Sequence, residues 1–178
     1  VAKHFPGHGD TAEDSHYTLP AVHHDRARLD SVELLPFKRY IYDGYAGVMT
    51  GHLYVPALDK ARNKPVSMSR AVITDLLQKE LGFRGLCFTD ALAMKGATTR
   101  KSDNPSVMAL LAGNDILLAP AAPINDFAAV KEALEEGILD REEIEAKIIK
   151  ILQYKYIAGL NDYRPVETEG LSERLNSP

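Results

Sequence analysis

The sequence contains one cysteine, Cys87, and no tryptophan in 178 residues. A single thiol excludes an internal disulfide framework but says little about compartment, since many exported proteins lack disulfides. Clustered Lys and Arg are also missing. Acidic residues outnumber basic ones by 25 to 21, for a formal net charge of −4, and no basic run is available to neutralise nucleic-acid phosphates. Apolar runs such as Ile116 to Ala119 fall far short of the roughly 18–20 residues that a bilayer span needs. No signal peptide is visible, and the first residue is Val1 where a Met would open a natural chain. A sequence that opens inside dense motif sequence is expected to have its natural N-terminus further upstream.

What is present has an ordinary globular balance. Hydrophobic residues make up 45% and charged residues 26%, which excludes a disordered chain and a collagen-like repeat. Short apolar runs alternate with helical periods, the signature of β/α units around a parallel sheet. Residues 1–5 read as the end of a buried strand, 6–16 as a Gly/His/Asp-rich loop and 17–32 as polar and irregular. A helix is expected from near Glu33, with Pro36 in its first turn, to before Gly44. Residues 47–52 read as a second strand. After a loop with Pro56 and Pro65, Ser69 is placed as the N-cap of a helix. Its Val72, Ile73, Leu76, Leu77 and Leu81 share one face, and Gly82 closes it.

Residues 86–89 form a third strand that ends at Asp90. Asn104 and Pro105 open a helix that Gly113 closes, and 116–118 form a fourth strand stopped by Pro120. Phe127, Val130 and Leu134 mark one face of the next helix, up to Gly137. Asp140 with Glu143 resembles a capping box for a last helix, carried by Ile144, Ile148, Ile151 and Leu152 toward Gly159. Residues 1–160 thus read as one α/β unit and 161–178 as a polar tail or linker. A complete eight-fold barrel takes about 200–250 residues, so four β/α units are about half of one. A small open α/β domain is the alternative, without a glycine-rich phosphate fingerprint to support a nucleotide site.

Chemistry concentrates just after the expected strands: Lys3 and His4 end the first, His52 the second and Asp90 the third. In parallel β/α folds that edge faces the ligand. In the loop after the first strand, Asp14 and His16 lie two apart. At that spacing a carboxylate can accept from one imidazole nitrogen and leave the other free for proton transfer. His8 and Asp10 are expected to shape the loop through hydrogen bonds. For His52 two readings stay open, substrate contact or a buried structural histidine. Met94 is open in the same way, between packing beside a ligand and packing in a core. The pair His23-His24 reads as solvated, Cys87 as core, and Glu132, Glu135, Glu136, Glu142, Glu143 and Glu145 as solvated helix faces.

The run Lys3-His4-Phe5-Pro6-Gly7-His8-Gly9-Asp10-Thr11, followed by Asp14-Ser15-His16, resembles a signature of glycoside hydrolase family three. It is similar to the bacterial β-N-acetylglucosaminidase branch of that family. Residues 88–94, Phe-Thr-Asp-Ala-Leu-Ala-Met, look like the family's nucleophile segment. Residues 48–52, 81–85 and 112–115 match intervening stretches in the right order.

This resemblance spans about residues 1–160. It implies the C-terminal half of a (β/α)8 TIM barrel, with the N-terminal half missing, and a retaining mechanism. By resemblance Asp90 is the nucleophile, His16 the general acid/base, Asp14 its partner, and Lys3 and His4 the residues that hold hydroxyls of N-acetylglucosamine. Donors near Asp90 are expected to keep it ionised. A carbohydrate is the implied partner. No metal, organic cofactor, nucleic acid or membrane span is expected.

Three rival readings are carried forward. One is a β-glucosidase of the same family. Another is an inactive half-barrel or sugar-binding module, which would expose two strand edges and an apolar barrel face. The third is a metal-dependent barrel hydrolase, for which His4, His8, His16, His52, Asp10 and Asp90 supply enough ligands but no familiar helix-borne spacing. Compartment is left open between cytoplasm and cell envelope, with any export signal upstream of Val1.

Overall fold

A computed structural model of the protein describes residues 1–62, 64–97 and 103–176. Four strands form one sheet: β1 (Ala2–Phe5), β2 (Gly47–Thr50), β3 (Leu86–Ala91) and β4 (Ile116–Leu118). They lie in chain order, and each pair is parallel. Chain order separates this sheet from a doubly wound one, in which the order reverses at a switch point. A singly wound parallel sheet with helical crossovers is the architecture of a (β/α)8 barrel.

The register explains which face the helices cover. Val48 sits opposite Cys87, and Met49 opposite Phe88. Side chains alternate across a strand, so these two pairs point to opposite faces. Val48 and Cys87 are fully buried in the main core with Phe5, Leu34, Phe37, Ile73 and Leu77. Met49 and Phe88 are only partly buried. One face is therefore packed under helices and the other, the inner face of a barrel, stays partly open, although parallel sheets are normally covered on both faces.

The connections are helical, with some departures from the sequence reading. The first begins earlier than Glu33. Asp25 caps α1 (Arg26–Arg28) by accepting from the Arg28 amide at 2.8 Å. A π-helical turn, Leu29–Glu33, then leads into α2 (Leu35–Tyr42). Part of the stretch read as irregular is thus helical, and Ala21 pairs with Tyr54 in an isolated parallel bridge.

The crossover between β2 and β3 is a π-helical segment, Ala71–Glu80. Ser69 does not cap it. Its hydroxyl donates to Asp59 at 2.5 Å, and Arg70 occupies the cap position without a side-chain bond. In α3 (Pro105–Ala112) the Asn104 carbonyl oxygen accepts from the amides of Ser106 and Val107, as its spacing predicts. Asp140 likewise accepts from Glu143 N at 2.8 Å and opens α5 (Arg141–Ile157).

In α4 (Pro123–Glu135), Val130 and Leu134 pack against Leu110, Ala133 and Leu139, whereas Phe127 is exposed. On α5, Ile144 packs while Ile148 and Leu152 are exposed. The tail holds a short 3-10 turn, Leu160–Asp162, and α6 (Leu171–Leu175). It is exposed nearly throughout, and its last two residues lie outside the described ones.

One buried amide ties the layers together. Asn114, fully buried, accepts from Thr50 Oγ1 at 3.0 Å. It donates to the carbonyls of Ser67 at 2.7 Å and Ala109 at 2.9 Å. Unpaired buried polar groups cost free energy. Asn114→Ala removes all three bonds and takes from the Ser67 carbonyl its side-chain donor, while Thr50 keeps the Phe88 carbonyl and Ala109 keeps backbone donors. It is expected to destabilise the fold by about 1–3 kcal/mol, read as a lowered denaturant midpoint. With one sheet face partly open, the chain by itself is expected to self-associate. Light scattering checks this, and a monodisperse monomer with a sharp unfolding transition contradicts it.

Candidate active site

Because all four strands run the same way, their C-terminal ends share one edge. Asp90 lies near the end of β3, mostly buried. The Ala91 amide donates to its Oδ1 at 2.8 Å, and His4 Nε2 stands 3.5 Å from its Oδ2. Gly51 makes room for this approach, since His4 Cβ lies against it. Burial pushes the His4 imidazole below its ordinary pKa. Asp90 pulls the other way, while Lys3, His8 and His16 push in the same direction as burial. Lys3 stands exposed on the wall of a cavity of about 710 Å³ that His4, His8 and Asp10 also line.

The loop after β1 carries the second pair. His16 Nδ1 donates to Asp14 Oδ1 at 2.7 Å, and the His16 amide donates to the same oxygen at 2.9 Å. That leaves Nε2 as the ring nitrogen available for proton transfer. The His16 amide, followed by its ring, holds the Asp14 carboxyl below the usual carboxylate range. Both side chains are exposed, 58% for Asp14 and 68% for His16. Among the described residues no hydrogen bond joins this pair to His4 and Asp90, so the structure forms two separate pairs on one edge.

The loop is fastened by backbone to the segment that follows β3. The amides of Lys95 and Gly96, just beyond β3, donate to the carbonyls of His16 at 3.4 Å and Ser15 at 3.1 Å. Gly96 permits this approach. A Cβ there would lie 2.8 Å from the carbonyl oxygens of Ser15 and Thr18 and 3.0 Å from His52 Cβ. His8 supports the same loop, with Nδ1 at 2.7 Å from Thr11 Oγ1 and Nε2 at 3.1 Å from Ser15 Oγ. Gly96 does not stand out in the sequence, because it carries neither a periodicity nor a charge, and Ser15 enters only as part of the Asp14-Ser15-His16 run.

His52 resolves to the structural reading. It is fully buried; its Nε2–H donates to the Ala91 carbonyl at 3.2 Å, and Nδ1 accepts from Ser67 Oγ at 2.8 Å. Burial lowers its pKa, against bonds to Ala91 and the charge of Asp90. Cys87 is core, its thiol pushed up to about 11 by burial. Met94 is half-buried, and the six glutamates named above are exposed. His24 departs from the solvated reading, since its Nε2 lies 2.6 Å from Asp10 Oδ2, while His23 is exposed. The six residues that a metal-dependent hydrolase would use do not converge. Among the described residues, the ligating groups that gather are Asp10, His24 and Glu33.

Two outcomes follow from this geometry. Gly96→Ala forces the loop off its seat and is expected to lower the melting temperature and increase amide exchange at residues 14–18. The neutral state of His52 contributes stability that is present above pH 6.5 and is lost as pH falls through its lowered folded value. The melting temperature is expected to fall between pH 7 and 5, and to fall less in His52→Asn.

Residues 1–154 match the family described as Glycosyl hydrolase family 3 N terminal domain. Beta-hexosaminidase A of Pseudoalteromonas piscicida is 36% identical over 173 residues, covering 86% of this chain and 29% of that protein. The glycoside hydrolase family 3 β-N-acetylglucosaminidase from Paenibacillus sp. str. FPU-7 superposes with a TM-score of 0.84 at 38% identity. That match covers 93% of this chain and 32% of the other. The beta-glucoside phosphorylase BglX superposes with a TM-score of 0.82 at 25% identity, over 91% of this chain and 31% of the other. The chain thus spans about a third of the length of these relatives. On the match over residues 1–154, it belongs to glycosyl hydrolase family 3.

Proposed function

We propose that this chain contributes the nucleophile and the acid/base of a retaining exo-β-N-acetylglucosaminidase. On this reading it acts as four β/α units within an eight-stranded barrel. The observation that carries the reading is the Asp14–His16 contact at 2.7 Å, on a loop strapped to the segment that follows Asp90.

In the first step Asp90 attacks the anomeric carbon and the glycosidic C–O bond breaks. The proton on His16 Nε2 passes to the leaving oxygen. In the second step neutral His16 takes a proton from water, the water oxygen attacks the anomeric carbon, and the bond to Asp90 breaks. Retaining glycosidases usually pair two carboxylates. An imidazole serves here because its ordinary pKa lies near neutrality, so it can both give and take a proton. Asp14 fixes the ring and stabilises the imidazolium that forms during the second step, as the buried aspartate does in serine-protease triads. Lys3 and His4 hold sugar hydroxyls beside Asp90. The exposed dyad closes over the sugar when it binds.

The N-acetylglucosamine preference rests on the relatives named hexosaminidases and N-acetylglucosaminidase. Terminal sugars of cell-wall or muropeptide-type glycans are the substrates that fit. One further reading has an observation of its own, the similarity to a β-glucoside phosphorylase. Phosphate would then replace water in the second step, and a histidine acid/base, unlike a carboxylate, does not repel that anion.

The test is release of a chromogenic aglycone from a β-N-acetylglucosaminide and from the matching β-glucoside, with and without chelator and phosphate. It is made on the chain extended through four upstream β/α units. Selective, chelator-insensitive release is expected. Asp90→Ala is expected to abolish it on every substrate. His16→Ala is expected to lower it by about 10²–10⁴-fold for poor leaving groups and much less for activated ones. Equal losses on both would contradict the acid role. Formation of the sugar 1-phosphate would favour the phosphorylase.

A further inference from the structure

Outside the two catalytic pairs, three ligating side chains from separate segments meet at one point. Asp10 comes from the loop after β1, His24 from the segment before α1, and Glu33 from the end of the π-helical turn. Each offers an atom within 4.8 Å of the others. The Glu33 side chain is only 7% exposed, and its Oε2 is buried with no hydrogen-bond partner among the described residues. A buried carboxylate oxygen without a donor costs free energy unless something else satisfies it. The loop is built tightly against this carboxylate. Gly7, at φ +139°, passes so close that a Cβ would lie 2.8 Å from Glu33 Cβ. The grouping opens onto the 710 Å³ cavity, which Gly7, Asp10, Arg28 and Glu33 line, so an ion has a path to it.

We propose that Asp10, His24 and Glu33 form a binding site for a divalent transition-metal ion of the zinc class. One imidazole nitrogen and two carboxylate oxygens, with a fourth position open to water, are a ligand set that zinc takes. Zinc–ligand distances of about 2.0–2.2 Å place tetrahedral ligands about 3.5 Å apart, within the spread observed here. The hydrogen bond of 2.6 Å between His24 and Asp10 opens by about 1 Å as the ion replaces the shared proton.

The cluster also has a rival cation. Arg28 Nη2 lies 3.1 Å from Glu33 Oε1 and 3.8 Å from Asp10 Oδ2. Its side chain is 43% exposed. The site therefore exchanges a guanidinium for a metal ion. In the metal-bound form the loop carrying Asp14 and His16 is pinned to the start of α1. This inference uses neither dyad nor nucleophile, so it stands or falls separately from the glycosidase reading.

The experiment is calorimetric titration of the whole chain with Zn²⁺. A parallel titration with Co²⁺ reads the visible absorption of a bound ion, and circular dichroism checks the fold of every variant. One ion per chain is expected, with a melting temperature that rises with zinc concentration. Asp10→Asn and His24→Ala, both at the surface, are each expected to weaken binding at least tenfold. Arg28→Gln is expected to tighten it several-fold by removing the competitor. His16→Ala is expected to leave it unchanged. Absence of saturable binding would overturn the proposal. So would binding that survives Asp10→Asn and His24→Ala, that is lost in His16→Ala, or that weakens in Arg28→Gln.

Discussion

Parallel pairing in chain order is the constraint on which the rest of this structure depends. A parallel strand can join its neighbour only through a crossover, and repeated crossovers of one kind put every C-terminal strand end on the same edge. Residues far apart in sequence are gathered there. His4 at β1 and Asp90 at β3 come together in this way. So do the loop of Asp14 and His16 and the segment after β3 that holds it. The polar groups behind the edge make the arrangement stiff. Asn114 joins β2, the turn at Ser67 and α3 through a single buried side chain.

The histidines show how burial separates chemical roles within one residue type. His52 is fully enclosed, and both ring nitrogens are used by the protein, so it holds β2 to the end of β3 and has no nitrogen left for a substrate. His4 is partly exposed and faces a carboxylate, with burial and three surrounding basic side chains disfavouring its charged form. His16 is exposed, oriented by Asp14 through one nitrogen, and open at the other. His24 is drawn to Asp10 across 14 residues of chain.

Much of the frame was legible in the sequence, for physical reasons that differ by element. Strands showed as short apolar runs because the strands of a parallel sheet carry apolar residues on both faces of the pleat, although here only the helix-covered face is fully buried. The caps at Asn104 and Asp140 showed because a side-chain acceptor followed by free backbone amides has a local solution. Ser69 has the same residue type but a stronger partner in Asp59, which sequence spacing does not reveal. The helical start at Asp25 and the two π-helical stretches lie beyond a periodicity argument, since their winding is set by packing. At the site, the Asp14–His16 pair was legible because its two members are close in sequence. Gly96 and the Asp10–His24–Glu33 grouping depend on approaches between distant segments and leave no local mark.

The central claim is that Asp90 forms a covalent bond to the sugar while His16 serves the two proton transfers. Its most direct measurement is mass spectrometry of the enzyme quenched in acid during turnover of a fluorinated N-acetylglucosaminide. Slow hydrolysis of the intermediate lets it accumulate. The account predicts one added glycosyl mass per chain, carried by the peptide of residues 86–91 and located on Asp90, and trapped longer in His16→Ala. An adduct on another carboxylate, or turnover without any covalent species, would contradict it.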